Sequence, residues 1–398
     1  MQILAVSRSC FTGVNRAIYR LLQEHGHEVH LIIPLDPPRI RPMHDRRPDP
    51  IEQEPFETSF ASGRGPHDRL TYVRGLFRLA RHHKGGVIVG EADPGSLLAT
   101  QLLILAKAKG SRLWLITAEN RDRSFVMEAL SFLKHGRIGH FCGALSAVVL
   151  RAISARNVDV VLTICRDGTS VMQGLGFRSV RQIPLGFDPG LFYRKPDPIR
   201  REIRASLGLI QPTIAYFGRI APEKGLDVLL AALAQLTELN WQLLLDSAGR
   251  TAYEQHIGAE IRRLGLDGRT VTFTATHTQI PDYMNAADVV VLPSVSFGTF
   301  KEQYGRVLPE AMACGAIPVG SDCGAIPELI GDCGYLAPQG SPAELAATLR
   351  RALTLNDTDR ASAQLRAQRQ AQSLSVQAQE NIYHSILAEY ASARTQRP

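Results

Sequence analysis

At 398 residues the chain is long enough for two domains that each bury a core of their own. With 44% apolar and 21% charged residues it has a globular composition that excludes intrinsic disorder, and no apolar run reaches the roughly 18 residues a membrane span needs. The formal charge of +7 is unevenly shared: residues 1–195 carry 27 Lys+Arg against 17 Asp+Glu, giving +10, and the remainder 18 against 21, giving −3.

The opening MQILAVSRSC lacks the charged-then-apolar layout of a secretory leader and reads as a first strand, Ile3–Ser7. Helical spacing over Ala17–His25 and a β-branched run over Glu28–Pro34 complete a βαβ unit. The pattern recurs with buried parallel strands at Val87–Gly90 and Arg112–Ile116, a helix at Leu97–Lys109 between them, and further strands at Val158–Ile164 and Arg181–Pro184. Alternation restarts with strand Thr213–Gly218, helix Gly225–Leu236, strand Trp241–Asp246 and helix Thr251–Leu264. Strands at Val271–Thr274, Val289–Pro293 and Ile317–Ser321 continue it.

These elements predict an α/β protein with two Rossmann-like parallel-sheet domains in tandem and a cleft between them. The junction falls near Tyr193–Ile203, where Arg, Lys and Pro replace the apolar pattern. Residues 1–192 form the first domain and 193–375 the second, with a last helix, about Val376–Arg394, crossing back onto the first. Two stretches break the rhythm. Leu35–Leu70, rich in Pro, Arg and acids, is too long for a routine connection and reads as a lid, an acceptor loop or a passive insertion. Phe125–Ile153 alternates apolar and basic residues and reads as a core helix pair ahead of a membrane-touching face.

The basic first half suits a lipid-linked, phosphorylated or membrane-proximal partner. Its arginines are scattered without regular aromatic interleaving, which places nucleic acid last. The six cysteines, at 10, 142, 165, 314, 323 and 333, form no CxxC pair and read as buried thiols in a reducing cytoplasm.

Two motifs in the second half carry chemistry. FGRIAPEKG, Phe217 to Gly225, runs from a strand into a helix, with Gly218 and Gly225 bracketing Arg219 and Lys224. An Arg fork, a Lys point charge and free backbone amides suit a diphosphate. SFGTFKEQYGRVLPEAMACGAIPVGSD, Ser296 to Asp322, carries Glu302 in a loop and Glu310 about a turn into a helix beginning near Arg306. Amides over Tyr304, Gly305, Arg306 and Val307 would face the same anion. Glu302 would reach a sugar hydroxyl, and Glu310 a cis-diol such as a ribose 2′,3′ pair. Asp357-Thr-Asp359 precedes a helix and reads as a cap, so no metal ligand is assigned. The lack of a GxGxxG after a strand argues against a Rossmann dehydrogenase.

GRIAPEKG, then PSVSFGTFKEQYGRVLPEAMACG, then AIPVGSDCGAIPELIGDCGYL resemble the retaining glycosyltransferase family 4 of GT-B fold. MQILAVS, the Gly13 loop, EHGHEVHLIIP and IPLGFDPGLF agree less closely. The resemblance implies that Arg219 and Lys224 bind a donor diphosphate, that Glu302 and Glu310 contact donor sugar and ribose, and that Gly13 approaches the diphosphate. Relatives often have Gly-Gly where this chain has Thr12-Gly13. Many place a histidine after the strand equivalent to Arg112–Ile116; this chain has Glu119 and Asn120, which are assigned to the site either to take over that polar contact or to face the acceptor, and no residue is assigned the histidine's role. His135, His140 and His277 read as structural or peripheral.

The implied function is retaining transfer from a UDP- or GDP-sugar to an acceptor hydroxyl, in glycan, glycolipid or glycosylated-metabolite synthesis, with no obligatory cofactor and with peripheral contact to an anionic membrane open to it. The alternatives are a nucleotide-sugar-binding protein without turnover and a nucleotide-sugar epimerase.

Overall fold

The computed structural model describes all residues except 36–47, 66–69, 122–133, 135–137, 247, 248, 250, 277, 299 and 396–398. Much of the two irregular stretches, together with His135, His277 and the His140 side chain, therefore lies outside the described residues. The chain divides into two compact units, Met1–Pro184 with Gln379–Pro398, and Leu185–Ala378.

The first unit carries strands β1 (Gln2–Val6), β2 (Glu28–Leu35), β3 (Glu57–Arg64), β4 (Tyr72–Val73), β5 (Val87–Glu91), β6 (Arg112–Thr117), β7 (Val160–Thr163) and β8 (Val180–Gln182). Their order is β4-β3-β2-β1-β5-β6-β7-β8, parallel except for β4 against β3. Near-continuous apolar strands make this possible: Leu4, Ile32, Ile88, Leu115 and Val161 are fully buried, as strands covered on both faces require. Helix Leu97–Lys109 starts where the Ser96 hydroxyl accepts from the Ala99 amide and stops at left-handed Gly110.

The described part of the segment expected to be lid or insertion contributes β3, which extends the sheet beside β2. Its alternation is weak, with Ala61 and Gly63 as the buried positions, which is why periodicity missed it. In Phe125–Ile153 the described helix is Ile138–Asn157. Ala144, Ala147 and Ser154 of that helix are buried, whereas Leu145, Val149 and Ile153 are 47%, 53% and 41% exposed. Residues four apart share a helix face, so these three form an outward apolar stripe.

The second unit carries β9 (Thr213–Tyr216), β10 (Gln242–Asp246), β11 (Thr270–Phe273), β12 (Val289–Leu292), β13 (Ile317–Ser321) and β14 (Tyr335–Ala337), all parallel in the order β11-β10-β9-β12-β13-β14. Its compact unit begins at Leu185 because Phe187 and Phe192 pack into the cluster of Ala215, Leu244, Val290 and Met312. Helix Asp357–Gln372 is capped by Asn356, whose side chain accepts from the Asp359 amide and donates to the Asp359 carboxylate. Asp357 and Asp359, expected to cap, occupy its first turn, where acids favour the helix dipole.

The last helix, Val376–Thr395, belongs to the first unit from Gln379 onward. Tyr383 and Ile386 are buried, and Tyr383 meets Trp114 of β6 edge-on at 5.5 Å. Arg112 lies 5.3 Å over the Tyr390 ring, and Arg181 pairs with Glu389 at 3.2 Å.

Candidate functional site

In the second unit the strand order reverses beside β9: the chain proceeds to β10 on one side and β12 lies on the other. Ligands of open α/β sheets bind at the carboxyl ends of the strands at such a switch point. Three loops emerge there, after β9, β12 and β13, and the first two, with the helix Val307–Ala313 that the second leads into, hold every residue the sequence assigned in this half.

The loops are bolted together by backbone. The Val295 amide donates to the Glu223 carbonyl (2.9 Å), and Ala325 donates to Glu302 (3.0 Å). Gly225, at φ +70, lets the first loop enter its helix where any Cβ would stand 2.0 Å from the Pro293 carbonyl. Gly324, at φ +61, does the same beneath Glu302, 2.0 Å from its carbonyl oxygen.

This scaffold places Lys224 against Glu302. Lys224 Nζ donates to Glu302 Oε2 at 2.7 Å, the Ser294 hydroxyl donates to the same oxygen at 2.7 Å, and Lys224 also sits 5.0 Å over the Phe300 ring. Side-chain exposures of 17% and 8% make this a buried pair, and Ser294 is fully buried. Arg219 pairs with Glu223 at 2.5 Å, and its carbonyl accepts from the Tyr216 hydroxyl at 2.9 Å. Burial, then the Glu302 charge, push the Tyr216 phenol far up, so it acts as a neutral donor. For Glu223 burial alone would raise the pKa, but its own backbone amide, Arg219 and Lys224 hold it below the ordinary value.

Glu310 forms a second cluster. It lies in helix Val307–Ala313, which the turn at Gly305 leads into, and pairs with Arg306 at 3.5 Å. Burial raises its carboxyl above the ordinary 4.5, with Arg306 opposing. Tyr304 is buried, and burial raises its phenol. The structure thus brings Lys224 and Glu302 into contact, sets Arg219 in the same loop as Lys224, and gives Glu310 a separate partner. Gly218 follows β9 after the single residue Phe217.

The remaining assigned residues lie in the first unit, also after strands. Thr12 is extended (φ −95, ψ 127), so the loop needs no glycine there. The Gly13 amide donates to Asp49 Oδ2 at 2.7 Å. Arg16 clamps that contact, donating to the carbonyls of Cys10, Asp49 and Pro50 and to Glu54 at 3.1 Å. After β6, the Glu119 amide donates to the Thr117 hydroxyl (3.2 Å), which itself donates to Asp93 (2.7 Å); Asn120 is buried.

Sequence reasoning missed Ser294, Phe300 and Asp49. Ser294 carried a signal, a small polar residue just past an apolar strand and Pro293; Asp49 lay in a stretch without periodicity.

Residues 211–355 match the family model described as glycosyl transferases group 1. A D-inositol 3-phosphate glycosyltransferase of Segniliparus rotundus is 34% identical over 180 residues, 42% of this chain and 38% of that protein. A 2-deoxystreptamine glucosyltransferase of Streptomyces kanamyceticus is 30% identical over 203 residues, half of each chain. The chain thus spans half or less of the length of these curated relatives. Among solved structures, Anabaena Alr3699/HepE in complex with UDP superposes with a TM-score of 0.72 over 98% of this chain and 100% of that one at 20% identity. A glycosyltransferase from Rickettsia africae gives 0.74 over 98% of each at 15%. Likeness at that identity establishes the fold, that of two-domain glycosyltransferases.

Proposed function

Because residues 211–355 are a glycosyl transferases group 1 segment, we propose that the protein transfers a sugar from a nucleoside-diphosphate sugar to an acceptor hydroxyl with retention of configuration. The observation that carries this reading is the buried Lys224–Glu302–Ser294 group at the switch point of the second sheet. An anionic diphosphate competes for Lys224 and Arg219, which releases Glu302 and Glu223 from their ion pairs. Freed of Lys224, Glu302 accepts from donor-sugar hydroxyls while Ser294 still orients it. Glu310, opened from Arg306, is the acceptor for the ribose diol.

In the chemical step the acceptor oxygen bonds to the anomeric carbon on the face from which the diphosphate leaves. The carbon–phosphate-oxygen bond breaks and the departing phosphate takes the hydroxyl proton. Arg219 and Lys224 stabilise the charge that builds on that phosphate. Gly13, Glu119 and Asn120 serve the same reaction from the first unit.

UDP- and GDP-sugars are the donor candidates; the aligned D-inositol 3-phosphate glycosyltransferase and 2-deoxystreptamine glucosyltransferase make a small polyol a suitable acceptor class. Glu302→Gln is expected to abolish transfer while nucleotide binding, read by calorimetry, stays within a few-fold. Unchanged turnover in that variant sinks the assignment, and absence of any nucleotide binding by the parent protein sinks the function.

A further inference from the structure

Three metal-binding side chains converge in the first unit, with His27 beside them, and none of them is among the residues assigned to transfer. His25 and His27 flank Gly26 in the turn that joins helix Ala17–Glu24 to β2, and Glu380 and His384 stand one turn apart on the last helix. His27 Nε2 lies 3.4 Å from His384 Nε2, His384 Nε2 lies 3.6 Å from Glu380 Oε1, and His25 Nδ1 lies 2.5 Å from the same oxygen. The donor atoms of His25, Glu380 and His384 all fall within 4.8 Å of one another.

A tetrahedral ion bound at about 2.0–2.1 Å sets its ligand atoms roughly 3.3 Å apart. The His384–Glu380 edge of 3.6 Å already matches, the His25–Glu380 contact needs to open, and His25 lies within 4.8 Å of His384. Two imidazoles and one carboxylate, with solvent in the fourth position, are a donor set that borderline transition cations take, and alkaline-earth ions prefer oxygen. Glu380 is buried, with 6% of its side chain exposed, whereas His25 and His384 are 55% and 41% exposed and leave a path from solvent. The geometry points to a zinc-type site formed by His25, Glu380 and His384, with His27 beside it.

Its place in the fold says what the ion does. β1 and β2 pair from Gln2 and Glu28, so His27 immediately precedes the amino end of β2. Ligand loops sit at the opposite, carboxyl ends, so the ion ties the last helix to the sheet and takes no part in transfer. Such a tie raises stability by mass action, because the ion binds the folded chain.

The full chain, stripped with chelator and dialysed, is titrated with Co²⁺ and then Zn²⁺. One equivalent of Co²⁺ with the visible absorption of a tetrahedral centre, displaced by Zn²⁺, is expected, and Zn²⁺ is expected to raise the melting temperature. His25→Gln and His384→Asn should each weaken binding at least tenfold and remove the melting shift. Their metal-free melting temperatures, compared with the parent's, report whether the variants fold. No saturable binding at micromolar metal overturns the site. Binding retained in the folded double variant also overturns it, since the metal then sits on other groups such as thiols.

Discussion

Glu302 and Lys224 are each other's ligand in this structure, and replacing either alone should be costly. Glu302→Ala leaves the part-buried Lys224 ammonium without its carboxylate, a loss of about 1–3 kcal/mol expected in chemical denaturation, whereas Gln keeps an acceptor for both donors and should cost much less. Equal losses for Ala and Gln would contradict this. In the first unit Glu54 makes a comparable claim on pH. Burial alone would raise its carboxyl, but hydrogen bonds from Arg20 and Arg16 bring it below the ordinary 4.5. A folded-state pKa below the unfolded one contributes stability that is full above the unfolded value and is lost as pH falls through the folded value. The Glu54→Gln variant should therefore lose stability near neutrality and show a shallower decline on the acid side; parallel curves would show that the pair carries no linkage. On the proposed assignment of Gly13 to the donor diphosphate, Asp49→Ala, which frees the Gly13 amide, is expected to tighten donor binding by calorimetry; unchanged affinity would remove Gly13 from the assignment.

Elements are tied by glycines where backbones meet. At Gly324 a methyl group would stand 2.0 Å from the Glu302 carbonyl on a left-handed backbone. Gly324→Ala should cost at least about 2 kcal/mol through strain and overpacking. Because the loop it displaces carries Glu302, turnover should fall more than nucleotide affinity; a variant with parental turnover would show the loop contact to be idle. Local signals did place most elements. Buried strands showed as apolar runs, and the glycine of EKG marked the loop-to-helix turn. They failed at β3, whose small residues carry little hydrophobic contrast, and at the exact cap of Asp357–Gln372, where Asn356 and two nearby aspartates compete for one role.

For the whole molecule, charge and exposed apolar surface point the same way. The first half's excess of ten positive charges accompanies the exposed stripe Leu145, Val149 and Ile153, with Ile104 of helix Leu97–Lys109 also 55% exposed. A lipid-linked acceptor would make such a surface useful, so the protein should sediment with vesicles containing anionic lipid, less so at high salt. Leu145→Glu with Val149→Glu should abolish sedimentation and leave nucleotide binding intact. Failure of the parent to sediment at low salt would remove membrane contact from the reading.

Composition, periodicity and punctuation sufficed to find two α/β units and the loops that hold Arg219, Lys224, Glu302 and Glu310, because strand and helix periods and turn glycines are local properties. They could not say whom those charges meet. Lys224 reaches Glu302 across 78 residues, and His25 reaches Glu380 across 355. Such pairings depend on strand order and on the return of the last helix to the first sheet. Only the folded chain brings those side chains within hydrogen-bonding distance.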